Sequence, residues 1–242
     1  MLAATQKVLD LWYNDEFKIF IIQGDHGYGK TTYANRIIAE VYSNPEFGWG
    51  GNGKTANWDR ELFKHHLGFH PAYVLDIWMK KRKRDLVFHW DDTGLWLHSL
   101  DWQDPFVKEI GKYMQTARTD WACIIFSCID RADITSKIRG LRHAITIDIT
   151  KHQTGGKNER FENRRTATAV TYWKNRRGKK GYNFEWEETF DSHVPGNPND
   201  PSTFYGWYNP VRIEYSDMAK RLAKEKLERK KDIMKLKPML HV

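Results

Sequence analysis

No apolar run in this chain approaches the roughly 20 residues that a bilayer-spanning helix requires. The segment Met1 to Asp10 also lacks the basic-then-apolar pattern of a secretion signal. The expectation is therefore a cytoplasmic protein with no integral membrane segment. Cysteine is nearly absent. The two present, Cys123 and Cys128, lie in or beside one apolar run, with no companion cluster of histidine or cysteine. Two thiols cannot complete a tetrahedral metal site, so both are expected as buried side chains. Acidic charge is in deficit, with 31 Asp and Glu against 39 Lys and Arg, a net charge of +8.

The cationic excess is uneven. It gathers at Lys80–Arg84, at Lys174–Lys180 and along Lys220–Lys237. A basic balance of this kind favours a polyanionic partner, nucleic acid first. Any one cluster reads equally well as a solvated surface. The 242 residues suffice for one α/β domain with a full core and an appendage.

The most informative segment is Phe20-Ile21-Ile22-Gln23-Gly24-Asp25-His26-Gly27-Tyr28-Gly29-Lys30-Thr31-Thr32. An apolar run ends in Gly24, four residues follow, then Gly29-Lys30-Thr31 opens a helix-forming stretch. That is the G-x-x-x-x-G-K-[ST] phosphate loop with a strand before it and a helix after it. Glycines let successive backbone N–H groups turn toward one phosphate. Lys30 supplies a cation for the β- and γ-phosphates, and the Thr31 hydroxyl suits Mg²⁺. The helix that follows presents its positive end to the same anion. The phosphate-binding set is Gly24, Asp25, His26, Gly27, Tyr28, Gly29, Lys30, Thr31 and Thr32.

A second apolar strand, Leu86 to Trp90, ends in Asp91-Asp92. Asp91 is placed to hold Mg²⁺ beside Thr31, and Asp92 to polarise an attacking water. Asp76 and Asp85 are rivals for the metal, but neither ends an apolar strand. A third strand, Trp121 to Cys128, places Ser127 near its end, where a hydroxyl can meet the water or the γ-phosphate. Before a fourth strand, Ala144 to Ile149, stand Arg139 and Arg142. Either arginine can reach the nucleotide of a neighbouring subunit and stabilise transition-state charge, Arg142 being the first choice.

Apolar strands separated by helices imply a mainly parallel sheet covered on both faces. Helices are expected at Leu2–Trp12, Thr31–Tyr42, Trp58–Leu67, Ala72–Arg84, Pro105–Thr116 and from Asp133 to Arg139. Past Thr150 the character changes. Thr166–Trp173 and Tyr182–Glu188 read as a β-hairpin around the basic tip Lys174, Arg176, Arg177, Lys179 and Lys180, flanked by Tyr172, Trp173 and Tyr182. Aromatics beside cations suit nucleic acid. A charged helix follows from Ser216 to Leu236. The expected division is a nucleotide-binding core over 1–150 and an appended hairpin and basic helix over 151–242.

The order of phosphate loop, Asp91-Asp92, Ser127 and Ile138-Arg139-Gly140-Leu141-Arg142 resembles the AAA+ ATPases. It is most similar to the replication initiators and helicase loaders, whose second motif ends in Asp-Asp, and in size to small ATPases of archaeal viruses and plasmids. The resemblance covers roughly residues 15–150. It implies a three-layer P-loop NTPase that hydrolyses ATP with Mg²⁺, acts on DNA, and places nucleotide at the interface of a homo-oligomer. A helicase or a capsid protein would be a partner, in the cytoplasm of a host cell if the source is viral. Where that family continues into a helical lid, this chain has a hairpin and a basic helix, and no helix-turn-helix module follows. Residues 151–242 could instead extend the sheet, as in some phage-assembly and packaging ATPases. A genome-packaging or virion-assembly motor is therefore the second expectation, and a nucleotide switch or small-molecule kinase the third. The missing lid with paired arginines speaks against the kinase.

Overall fold

The computed structural model describes residues 1–151, 163–175 and 177–236. Arg176, at the expected basic tip, and Lys237, at the end of the last basic cluster, lie outside the described residues. Two compact units divide the chain, Met1–Pro195 and Gly196–Val242.

In chain order the first unit runs α1 (Ala3–Tyr13), β1 (Lys18–Gln23), α2 (Lys30–Val41), α3 (Arg60–His66), β2 (Leu67–Gly68) and α4 (Pro71–Lys80). It continues with β3 (Asp85–Trp90), α5 (Pro105–Thr116), β4 (Trp121–Ser127), α6 (Ser136–Arg139), β5 (Ala144–Lys151), β6 (Arg164–Lys174) and β7 (Lys180–Asp191). The strands form one seven-stranded sheet in the order β2-β3-β4-β1-β5-β6-β7. The pairings from β2 through β5 are all parallel, and those of β5 with β6 and of β6 with β7 are antiparallel.

The central strands are mostly apolar because both of their faces are covered. Ile19 and Ile21 of β1, Phe88 and Trp90 of β3, and Ile124 and Phe126 of β4 pack with α4, α5 and α6 through Val74, Trp78, Val107, Ile110, Met114 and Ile138. The alternate residues Phe20, Ile22 and Val87 are also fully buried. They face the other side, where α1 and α2 lie against the strands.

The sheet does not stop near residue 150. Ala167 and Ala169 of β6 and Phe190 of β7 are buried. The Glu188 carboxylate of β7 accepts from Ala3 N at 2.6 Å, Ala4 N at 3.2 Å and the Tyr33 hydroxyl at 2.6 Å. Glu188 thus serves the orphan amides at the start of α1, together with Glu40, which accepts from Leu2 N at 2.6 Å. No Ser, Thr, Asp or Asn cap precedes α1, so a carboxylate 185 residues away does that work. The hairpin is therefore locked to the core.

Several elements differ from those read along the sequence, and three of the differences have a clear cause. α4 ends at Lys80 rather than Arg84, because Lys81 and Arg84 turn away to other partners. Lys81 pairs with Asp85, and Arg84 reaches the carbonyls of Leu11, Trp12 and Glu16. β2 is a two-residue strand that sequence periodicity could not reveal. α6 begins at Ser136 because Asp130 caps a separate turn over Arg131–Asp133.

In the second unit, α7 spans Phe204–Leu236 and starts twelve residues before the expected Ser216. Pro210 hid the beginning, since proline ordinarily argues against a helix interior. Thr203 sets the first turn, with its Oγ1 accepting from Gly206 N at 3.1 Å.

Candidate functional site

The parallel strands bring the expected residues to one edge. In register Ile22 pairs with Ser127, Gln23 with Asp148, and Trp90 with Phe126. The loop from Gly24, the pair Asp91-Asp92 and Ser127 therefore share the carboxyl edge of the sheet. In open α/β sheets that edge is where ligands bind.

The loop is shaped by its glycines. Gly24 has φ of +142°, and a Cβ there would stand 2.5 Å from Ile149 O. Gly24 N is anchored on Ile129 O at 3.1 Å. Gly29, at φ of +88°, is the N-cap of α2 and provides no side-chain cap. The first-turn amides of α2 thus open on the loop with the positive end of the helix dipole behind them.

Lys30 Nζ donates to Gly24 O at 2.6 Å and to Asp25 O at 2.9 Å. Its ammonium lies over the loop's own carbonyls. Burial lowers its pKa, and the nearby charges of Asp92 and Asp91 oppose that shift. Asp25, His26 and Gly27 are exposed at the rim, and Thr32 is buried. The Tyr28 ring faces the Lys151 ammonium at 5.2 Å.

Thr31 Oγ1 donates to Asp91 Oδ1 at 3.0 Å. Asp91 is fully buried. The same Oδ1 accepts from the Asp92 amide at 3.0 Å and from the Ser127 hydroxyl. Ser127 Oγ also accepts from Asp92 N at 3.1 Å. Ser127 is 1% exposed and faces Asp91, so whatever it does for a ligand passes through that carboxylate. Asp92 is exposed and adopts left-handed backbone, φ 50° and ψ 37°, which Asp tolerates better than most residues.

Two further residues complete the cluster, and the sequence reading did not single them out. His89, fully buried on β3, meets Asn35 Oδ1 of α2 through Nδ1 at 2.8 Å and Ser127 Oγ through Nε2 at 3.2 Å. Burial holds its pKa down at about 4, so the ring is neutral at pH 7. The signal was present: one histidine in a strand otherwise buried and apolar must find partners.

The rival acids lie elsewhere. Asp76 pairs with Lys80 on an exposed turn of α4. Asp85, at the opposite end of β3 from Asp91, is held by His66, Lys81 and the Tyr42 hydroxyl.

The two candidate arginines part company. Arg139 Nη1 donates to Ala132 O at 2.7 Å and Arg131 O at 3.4 Å, closing the turn before α6. Arg142 is exposed at the start of β5, beside His143, whose carbonyl accepts from Ile19 N at 2.9 Å. That is the edge opposite the Gly24–Thr31 loop, so Arg142 does not join this cluster within one chain. Both thiols are buried, Cys123 fully and Cys128 at 4% exposure; burial pushes the Cys128 thiol up to about 12. Of the hairpin cations, Lys174, Arg177, Lys179 and Lys180 are exposed.

Among the described residues no cluster of three or more His, Cys, Asp or Glu side chains could form a metal cage, and no helix is long and apolar enough to cross a membrane. Compared with family profiles and with solved structures, the chain matches none. It is similar to an uncharacterized protein, B-251, of Sulfolobus spindle-shape virus 1, 24% identical over 134 residues. The aligned stretch covers 55% of this chain and 51% of the viral protein, so the chain spans about half the length of the relative it matches.

Proposed function

We propose that this chain is an ATP-hydrolysing P-loop protein of the AAA+ kind that acts on DNA, in replication initiation or helicase loading of a virus or plasmid. The observation that carries the reading is the 3.0 Å contact between Thr31 Oγ1 and Asp91 Oδ1, between the first turn of α2 and the end of β3. Two hard oxygen donors side by side fit Mg²⁺, which takes one or two protein ligands and fills the rest with water and phosphate. Bound there, the ion would neutralise charge on the β- and γ-phosphates. A site shared with phosphate needs no larger cluster of protein ligands.

The chain's own residues supply the remaining parts. The amides at the start of α2 receive the phosphates, and Lys30 leaves the carbonyls of Gly24 and Asp25 to meet them. Asp92, exposed at the mouth, orients a water toward the γ-phosphorus and takes its proton as the bond to the bridging oxygen breaks. Ser127 holds Asp91 and the Asp92 amide at fixed separation. Arg142 lies too far from its own loop and would serve a neighbouring subunit. ATP rather than GTP is the substrate that the family resemblance implies, and the resemblance also supports a homo-oligomer.

A fluorescent ATP analogue and phosphate release test this directly. Lys30→Ala should lose binding. Asp92→Asn should bind with near-normal affinity and turn over at least 10-fold more slowly, because the proton acceptor is lost while the Asp91 and Thr31 oxygens remain. Normal turnover in Asp92→Asn removes Asp92 from the mechanism.

One observation favours a second reading. The hairpin extends the sheet antiparallel beyond β5, as the resemblance to packaging ATPases implies, so a genome-packaging or virion-assembly motor stands beside the replication role. Turnover measured with and without single- and double-stranded DNA, and with capsid protein, separates the two.

A further inference from the structure

Past a bulge at Ala169/Val170, the β6–β7 hairpin carries large rings in the open. Tyr182 is 66% exposed, Phe184 61% and Tyr172 43%. An exposed aromatic cluster of this kind marks an interaction surface. The register shows that it is one surface. Val170 pairs with Phe184, Tyr172 with Tyr182, and Lys174 with Lys180. Alternation along each strand places all six side chains on one face.

That face is a ladder of three rungs. Val170 and Phe184 form the first. Tyr172 and Tyr182, ring centroids 6.3 Å apart, form the second. The third, at the tip, is a pair of ammonium groups. A further cation covers one face of the middle rung, where the Arg131 guanidinium lies over the Tyr172 ring, 3.9 Å from its centre. Arg131 is itself fixed, its amide donating to Gln23 Oε1 at 2.7 Å and its Nη2 to Arg139 O at 3.2 Å. The opposite face differs. There a single ring, Trp173, 42% exposed, lies over Gly181, and Thr171 Oγ1 donates to Glu185 at 2.7 Å, which ties down the neighbouring acid.

We propose that this face is a stacking platform for single-stranded nucleic acid, with bases on Tyr182 and Phe184, the two most open rings, and phosphates on Lys174, Lys180 and Arg131. The inference rests on the DNA-acting reading above and deepens it, by naming the form of the strand and the surface that meets it. Charge complementarity selects a polyanion, because three cations border the rings. The rings select a single strand. A duplex stacks its bases on one another and offers the rings only sugar and phosphate, whereas a single strand offers a π-face at every nucleotide. The bulge serves the same end, since it twists the outer hairpin away from the half of β6 and β7 that closes the core.

The test is fluorescence anisotropy of the full chain with a labelled oligothymidylate and, separately, a duplex of mixed sequence. The wild type is expected to prefer the single strand. Tyr182→Ala and Phe184→Ala should each weaken single-strand binding by roughly 10-fold, the loss of one stacked base. Tyr182→Phe and Phe184→Tyr should retain it, and duplex binding should not move. Lys174→Ala with Lys180→Ala should flatten the salt dependence by about 0.7 per phosphate released. Alanine variants that bind like the wild type, or that lose single strand and duplex equally, overturn the platform. So does a face that captures only a protein. Binding of a fluorescent ATP analogue keeps the two readings apart. A chain that binds ATP but no single strand overturns the platform alone, whereas one that binds the strand and no ATP overturns the ATPase alone.

Discussion

Ser127 Oγ stands 3.2 Å from His89 Nε2 while donating its hydrogen bond to Asp91 Oδ1, so one hydroxyl proton faces two acceptors. With Nδ1–H of the neutral ring directed at Asn35, Nε2 is an acceptor. The serine therefore ties α2, β3 and β4 together immediately behind the acid expected to hold the metal. Ser127→Ala removes the hydroxyl from beside Nε2 and takes one hydrogen bond each from Asp91 Oδ1 and the Asp92 amide, which keep their bond to each other. The expected cost is about 1–3 kcal/mol, read from the urea midpoint. On the proposed reading, turnover should fall more than ATP affinity, because the acids are displaced while the Gly24–Thr31 loop is intact. A variant with wild-type stability and turnover would contradict the role given to this hydroxyl.

Two glycines of the loop should respond differently to the same change. Gly24→Ala forces a Cβ to 2.5 Å from the Ile149 carbonyl oxygen at φ of +142°. It should lower stability by about 2 kcal/mol or more. Gly27→Ala, at φ of +74° with no atom within 4 Å, carries only the left-handed backbone penalty of about 1 kcal/mol. Thermal melts of the two variants, compared with wild type, provide the ranking. Equal melting points would mean that the approach of Ile149 is not what demands glycine.

Acid stability should depend on Asp85. Burial alone would raise its pKa from the ordinary 3.8, but the hydrogen bond and charge of His66 and the charge of Lys81 outweigh it and hold the carboxyl well below the carboxylate range. A depressed pKa means that the unfolded chain takes up the proton first. The stabilisation is thus complete above the unfolded value near pH 4 and is lost as pH falls through the folded value. Asp85→Asn should cost about 3 kcal/mol at pH 7 by stranding its partners. The gap between variant and wild type should narrow below pH 4. A gap that stays constant from pH 7 to pH 3 rules this out.

Arg142 predicts a result that no single-chain defect gives. Arg142→Ala and Asp92→Asn should each be nearly inactive alone. Mixed, they should regain part of the wild-type rate, because some interfaces then pair an intact Arg142 with an intact Asp92. Phosphate release across mixing ratios is the measurement. A mixture no better than the sum of its parts confines Arg142 to a structural or surface role.

The local grammar of the site was legible in the sequence because each part is a short-range requirement. Gly24 to Thr31 needs strand, tight loop and helix in succession, and Leu86 to Asp92 needs an apolar strand that ends in acids. Both appear where expected. α5 begins and ends at Pro105 and Thr116 as its periodicity and its Asp104-Pro105 start indicate. What the sequence left open involves partners far apart along the chain. Glu188 at the start of α1, Asn35 beside His89, and Ser127 against Asp91 all depend on strand register and helix placement.

By itself, then, the sequence determined the strand–loop–helix around Gly24 to Thr31, the buried character of the central strands and the net basic balance. Backbone propensity and hydrophobic burial act within a few residues, so those features are written locally. Only the tertiary structure decided that the sheet runs on through the hairpin to Asp191, that Ser127 turns to Asp91, and that Arg142 stands at the far edge from its own loop. Hydrogen bonds across 36 to 185 residues exist only once the sheet order brings their ends together.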